Sequence, residues 1–134
     1  RTEMATIEMN SDNFQETIEN NDVVFIDYWA DWCGPCRAFK PVFEKAAEEH
    51  PEVTFAKVDT EKQQDLAAAF QIRSIPTLMV FREGIMLFNQ AGALPESALS
   101  ELISKVRALD MDEVRQKLAE LEEQQQQEAV AESN

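Results

Sequence analysis

The run Val23-Val24-Phe25-Ile26-Asp27-Tyr28-Trp29 is almost unbroken apolar sequence, and it leads straight into Trp32-Cys33-Gly34-Pro35-Cys36. An apolar run of this length suits a central strand covered on both faces. The segment from about Gly34 to Glu49 reads as a long helix, and Pro41 inside it should place a kink. A strand that feeds a helix at once begins a crossover, and crossovers of this kind are right-handed and give parallel strands. One domain is expected for 134 residues, with room for a core.

The pattern continues on both sides of that unit. Ser11 has N-cap chemistry for a helix carrying Phe14 and Ile18 at i, i+4 spacing. Asn20-Asn21-Asp22 reads as a turn. A short strand is expected near Thr6 to Met9, and a second buried one over Val53 to Asp59. Thr60-Glu61-Lys62-Gln63 has capping-box form and should open a helix to about Phe70. Thr77 to Arg82 and Ile85 to Asn89 flank Glu83-Gly84, the mark of a β-hairpin. Pro95 opens a helix bearing Leu99, Leu102, Ile103 and Val106. The eight Phe fall at core-like positions.

The chain holds only two cysteines, Cys33 and Cys36. A bridge between them closes too short a loop to constrain the unfolded chain much. A Cys-x-x-Cys beside a βαβ pattern reads instead as a redox-active dithiol. The rival reading is half of a zinc site, which needs further soft ligands, and the chain offers only His50. His50 itself reads as a surface residue at a helix end. Counting from Cys36, apolar residues fall at Phe39, Phe43 and Ala47, which defines the buried face of the helix. Cys36 is therefore the sheltered, resolving thiol. Cys33 stands where the helix starts, and free backbone N–H groups and the helix dipole favour a thiolate there. It is the expected exposed nucleophile. Pro35 stiffens the turn, and Gly34 leaves room for a substrate chain.

Two charged residues sit where strands should be buried. Asp27 shares a strand face with Val23 and Phe25, so desolvation should raise its pKa. Lys57 shares a face with Val53 and Phe55. Facing each other on neighbouring strands beneath Cys36, the two would pair, and the carboxylate would take the Cys36 proton. Otherwise Asp27 is a structural buried acid and Lys57 a snorkelling side chain. Trp32 is expected exposed beside the dithiol. The Ile75-Pro76 bond, between a helix and a strand, is a candidate for the cis form.

Net charge is −14, which argues against nucleic-acid or anionic-membrane binding and favours solubility. No transmembrane run and no signal-peptide core are visible. Met4-Ala5-Thr6 reads as a natural start, with Arg1-Thr2-Glu3 an addition before it. Cytoplasmic residence is the expectation.

Taken together, Asp27-Tyr28-Trp29-Ala30-Asp31-Trp32-Cys33-Gly34-Pro35-Cys36, Pro41, Ala56-Lys57-Val58-Asp59, Ile72-Arg73-Ser74-Ile75-Pro76-Thr77 and Ala91-Gly92-Ala93 resemble the thioredoxins. The resemblance covers about Thr6 to Val106. It implies an α/β thioredoxin fold, a central five-stranded mixed sheet in order 1-3-2-4-5 flanked by four helices. It implies a cis bond at Pro76 facing the dithiol. It implies a substrate groove of Trp32, Gly34, Pro35, Ile75, Pro76, Gly92 and Ala93. The Gly-Pro between the cysteines is the family's reducing variant, so net disulfide reduction of protein substrates is implied. Electrons would come from NADPH through thioredoxin reductase, a separate flavoprotein, with no cofactor or metal bound by this chain. Arg37 and Ser74 stand where lysine and glycine are frequent.

The resemblance divides the chain into a domain over 1–109 and an extension over 110–134. Asp110 and Glu113 have cap chemistry for a further helix over about 111–124. Met111, Val114, Leu118 and Leu121 make one narrow apolar stripe, with a mobile tail expected beyond. Some longer relatives carry helical repeats after this domain and act as chaperones, but this extension is too short for an array. The leading reading is a monomeric disulfide reductase. The alternative is a redox-linked binding or chaperone module whose last helix holds a client or partner.

Overall fold

The computed structural model describes residues 5–133. In chain order they form β1 (Thr6–Glu8), α1 (Phe14–Asn20), β2 (Val23–Trp29), α2 (Gly34–Glu49), β3 (Thr54–Asp59), α3 (Gln64–Ala69), β4 (Thr77–Arg82), β5 (Ile85–Ala91), α4 (Glu96–Ala108) and α5 (Met111–Ser133). The expected start at Met4, with Arg1, Thr2 and Glu3 before it, lies outside the described residues.

Five strands pair in the order β1-β3-β2-β4-β5. The βαβ half is parallel, with β3 beside both β1 and β2. The hairpin half is antiparallel, with β4 between β2 and β5. This is the thioredoxin fold. The central strand is the apolar one, and Val23 through Tyr28 are all buried. At the hairpin turn Glu83 and Gly84 take φ values of 52° and 78°. Two left-handed residues in a two-residue loop match the twist of the strands, and glycine adopts that conformation without steric cost.

Alternation along the strands makes two cores. On one face Phe25, Phe55, Leu78 and Val80 meet Phe39 and Phe43 of α2 and Leu99, Ile103 and Val106 of α4. On the other, Val24, Ile26, Tyr28 and Met79 meet Ile18 of α1 and Leu66 of α3. All eight Phe lie in these clusters or against them. α2 runs as one helix through Pro41, which faces solvent.

Several local expectations are corrected. Ser11 does not cap α1, which starts at Phe14. Asn10 and Asn13 instead exchange side-chain bonds with each other's backbone N–H, both at 2.9 Å, and this closed turn delays the helix. The capping box at Thr60 does not form. Asp59 Oδ1 accepts the N–H groups of Glu61 and Lys62 at 2.9 and 3.3 Å, while Thr60 Oγ1 donates to Trp29 O at 3.0 Å. A local aspartate turn outcompetes the threonine cap, and α3 starts at Gln64. His50 ends α2 as expected but is only partly exposed, its Nδ1 being 3.4 Å from Glu52 Oε1. α5 does not stop near Gln124. It runs to Ser133, through a stretch of Gln, Glu and Ala with no Gly or Pro to break it. Asp110 Oδ1 caps it, accepting from Asp112 and Glu113 N–H at 3.0 and 3.2 Å.

Candidate active site

β2 ends at the head of α2, and the register of its neighbours decides what else arrives there. Tyr28 is paired with Thr77 at the start of β4. Ile75 and Pro76, just before Thr77, are thereby placed beside the end of β2. Thr77 is paired in turn with Ala91 at the end of β5. Gly92 N–H then donates to Pro76 O at 2.8 Å, and its φ of 114° suits glycine. Three remote segments meet at one end of the sheet by strand register alone.

Cys33 and Cys36 are joined as a disulfide there, with Cα atoms 5.2 Å apart. Cys33 is the N-cap of α2, and its Sγ accepts the Cys36 N–H at 3.2 Å. Pro35 fills the first turn, where its missing N–H has no partner to lose. A sulfur that receives a helix-terminal N–H is favoured as a thiolate. Cys33 is not the exposed residue expected. It is 4 % accessible, against 3 % for Cys36. The bridge turns its sulfur inward, and Sγ lies 3.6 Å from Ile75 O. The peptide bond between Ile75 and Pro76 is cis.

The surroundings of the bridge are mostly apolar and open. Trp32 is 66 % exposed, and its Nε1 donates to Glu61 Oε1 at 3.0 Å. Gly34, Pro35, Gly92 and Ala93 are exposed, while Ile75 is half-buried and Pro76 buried. Nothing lies within 4 Å of where a Cβ on Gly34 would point. Arg37 reaches back along the loop and donates from Nη1 to Asp31 O at 2.7 Å.

Asp27 lies on the sheet face covered by α2, the helix that carries Cys36. It is 1 % exposed, and neither carboxylate oxygen has a hydrogen-bond partner among the described residues. Burial pushes its carboxyl up to about 7, with the Lys57 ammonium opposing the rise and Glu44 adding to it. Asp27 and Lys57 are register partners on adjacent strands. The expected ion pair between them does not form. Lys57 Nζ lies 3.6 Å from Glu44 Oε2 and 4.8 Å from the centre of the Trp29 ring. A more exposed acid on α2 and an aromatic face hold the ammonium instead, at less desolvation cost than a fully buried pair.

Glu44 and Glu61 escaped the reading of the sequence. Glu44 had a usable signal, since Cys36, Lys40 and Glu44 follow one another at helix spacing along one ridge. Glu61 lies inside the Thr60–Gln63 capping pattern, and nothing local in the sequence points it at Trp32. Among the described residues no group of three or more His, Cys, Asp or Glu side chains is placed to hold a metal ion. No helix among them is long and apolar enough to cross a membrane.

Residues 5–105 match the Thioredoxin family model. A putative thioredoxin 2 of Streptomyces coelicolor is 55 % identical over 120 residues, covering 90 % of this chain and 90 % of its own. Thioredoxin C-3 of Corynebacterium nephridii is 43 % identical over 103 residues, covering 76 % of this chain and 71 % of its own. A solved structure of the N21Q mutant thioredoxin from Halobacterium salinarum superposes with a TM-score of 0.72 at 33 % identity, covering 82 % of this chain and 98 % of that one. The matched stretch begins before β1 and reaches into α4, so it takes in the whole sheet and the cysteine pair at the head of α2. On that ground the chain belongs to the thioredoxin family, and it is a thiol–disulfide oxidoreductase that works through a redox-active disulfide rather than a prosthetic group.

Proposed function

We propose that the chain reduces protein disulfides, with Cys33 attacking and Cys36 resolving. The Cys33 thiolate attacks one sulfur of a substrate disulfide. The Cys33–substrate bond forms, the substrate S–S bond breaks, and one substrate thiolate leaves and is protonated. Asp27 takes the proton of the Cys36 thiol. Cys36 then attacks Cys33, forming the bridge and expelling the second substrate thiolate. Two electrons pass from the dithiol to the substrate. Lys57 stabilises the ionised Asp27, and Trp32, Gly34, Pro35, Ile75, Pro76, Gly92 and Ala93 form the docking groove. The bridge is reopened by a separate thioredoxin reductase drawing on NADPH. The protein works in the cytoplasm, with its activity in residues 1–109 and an extension in 110–134.

One observation carries this reading. A cysteine caps α2 with its own sulfur, and the sheet face that α2 covers holds a buried carboxyl without a hydrogen-bond partner among the described residues. The first favours a thiolate and the second is a base tuned to neutral pH. The experiment is insulin reduction coupled to NADPH and thioredoxin reductase. Cys33→Ser should abolish turnover, and Cys36→Ser should accumulate mixed disulfides with substrate. Trapping by Cys33→Ser instead would reverse the assigned roles.

A second reading draws on α5, where Leu118 and Leu121 are 38 % and 52 % exposed. In it, the last helix holds a client or partner while the dithiol senses redox state. Activity with and without residues 110–134 separates the two.

A further inference from the structure

We infer that Glu44 is a positioning residue for the resolving step: it holds the Lys57 ammonium out of ion-pair reach of Asp27, so that Asp27 meets the Cys36 proton as an unneutralised base. The inference rests on the proposed role of Asp27.

The geometry is a competition of two acids for one cation. Asp27 is the register partner of Lys57, yet neither of its oxygens has a polar partner. Glu44 stands one strand-to-helix layer above and takes Lys57 Nζ at 3.6 Å. The same Nζ lies over the Trp29 ring, 4.8 Å from its centre. The two acids differ in burial. Both Asp27 oxygens are closed off, whereas of Glu44 only Oε2, the atom facing Lys57, is buried without a hydrogen bond, and the side chain as a whole is 33 % exposed in the lining of a cleft of about 350 Å³. Glu44 therefore keeps its charge at lower cost and wins the cation.

The chemical consequence follows from what pairing would do. A carboxylate in contact with an ammonium loses one to three pKa units, roughly, and becomes a poor proton acceptor at neutral pH. Held on the cleft side, Lys57 is close enough to stabilise ionised Asp27 through space but not to neutralise it. The charged groups around the pair are few. Asp27 faces Lys57 from β3, and Glu44 and the Cys36 sulfur come from α2. β4 contributes Leu78, which carries no charge. Glu8, Lys40, Asp59 and Lys62 line the same cleft as Lys57 and Glu44.

The test is a carbon-13 titration of the Asp27 carboxyl in the reduced full-length protein, alongside the pH profile of the resolving step in single turnover. Glu44→Gln should lower the Asp27 midpoint by about one pH unit. The acid limb of the resolving step should move with it, and the plateau should fall roughly threefold because the base is weaker. Glu44→Asp should restore the wild-type midpoint, since it keeps the charge. Lys57→Met should raise the midpoint, and adding Glu44→Gln to it should then have much less effect. An unmoved midpoint in Glu44→Gln, or equal shifts in Glu44→Gln and Glu44→Asp, overturns the positioning role while leaving Asp27 as base. A wild-type resolving rate in Asp27→Asn overturns the base reading itself, and this inference falls with it.

Discussion

The two ends of the sheet treat buried charge in opposite ways. At the dithiol end Asp27 is sealed among apolar side chains with both oxygens unpartnered. At the hairpin end Arg82 donates from Nη1 to the carbonyl oxygens of Val106, Arg107 and Leu109, at 2.8, 3.2 and 2.8 Å. Those three carbonyls close the C-terminus of α4, where a helix leaves acceptors without internal donors. Arg82 is thus matched through Nη1 to a need of the backbone, with only its Nε, 3.8 Å from Asp22 Oδ2, lacking a hydrogen bond, whereas Asp27 lacks one at both oxygens. Native proteins satisfy their buried polar groups, and an exception calls for a reason. The proposed role of Asp27 supplies a chemical reason, because a satisfied carboxylate would be a weaker base.

Asp27→Asn tests the contrast most severely. The native carboxyl sits at about 7 against 3.8 for an unperturbed one. Between those values the folded state binds more protons than the unfolded state, so stability falls as pH rises through the window. The penalty reaches an order of 4 kcal/mol above pH about 7. Asparagine cannot ionise and escapes it. The variant should match wild type near pH 4 and be more stable by several kcal/mol near pH 8, on the order of that penalty. Its resolving step should be slow. Urea denaturation at the two pH values checks the first claim, and single-turnover kinetics the second. A stability difference independent of pH would show that Asp27 is not buried as an ionisable group.

Arg82→Met should do the reverse. It removes a charged donor from three carbonyls and should cost about 2–3 kcal/mol of stability with little change in disulfide reduction. Loss of activity without loss of stability would erase the distinction between the two ends.

How much of this was legible in the sequence depends on the range of the interaction. The central strand, the hairpin and the buried face of α2 follow from apolar periodicity, which burial enforces residue by residue. The burial of Cys36 and of Asp27 follows from the same periodicity, whereas the exposure expected of Cys33 does not appear, since both cysteines are buried. The residues that join the dithiol from β4 and β5 came from resemblance, because register across a sheet has no local signature. Local polar competitions were misread. Thr60 with Gln63 spells a capping box, but Asp59 just before it offers a better acceptor to the same N–H groups. Strand adjacency makes Asp27 the neighbour of Lys57 but does not decide which acid takes its ammonium. Glu44 wins through a difference in desolvation that only the assembled layers contain.

Removing residues 110–134 should have the smallest effect, and it probes the end of the molecule farthest from the dithiol in sequence. Of the stripe on α5 only Met111 is buried, while Val114 is half-buried and Leu118 and Leu121 are exposed. Arg115 adds exposed pairs to Glu83 of the hairpin turn and to Asp112. Surface pairs of this kind add little. The loss should therefore be that of Met111, about 1–2 kcal/mol after the ordering entropy of the helix is deducted. A cut after Leu109 turns the Leu109 carbonyl into the terminal carboxylate beside Arg82, so α4 keeps its closure. A two-heptad stripe rich in Glu and Gln is a marginal coiled coil, and the chain should sediment as a monomer before and after truncation. Insulin reduction should stay within about twofold of the full chain, since a cost of this size leaves the folded fraction near one. A dimer that dissolves on truncation, or activity lost with the tail, would move function into α5 and favour the binding-module reading over the reductase.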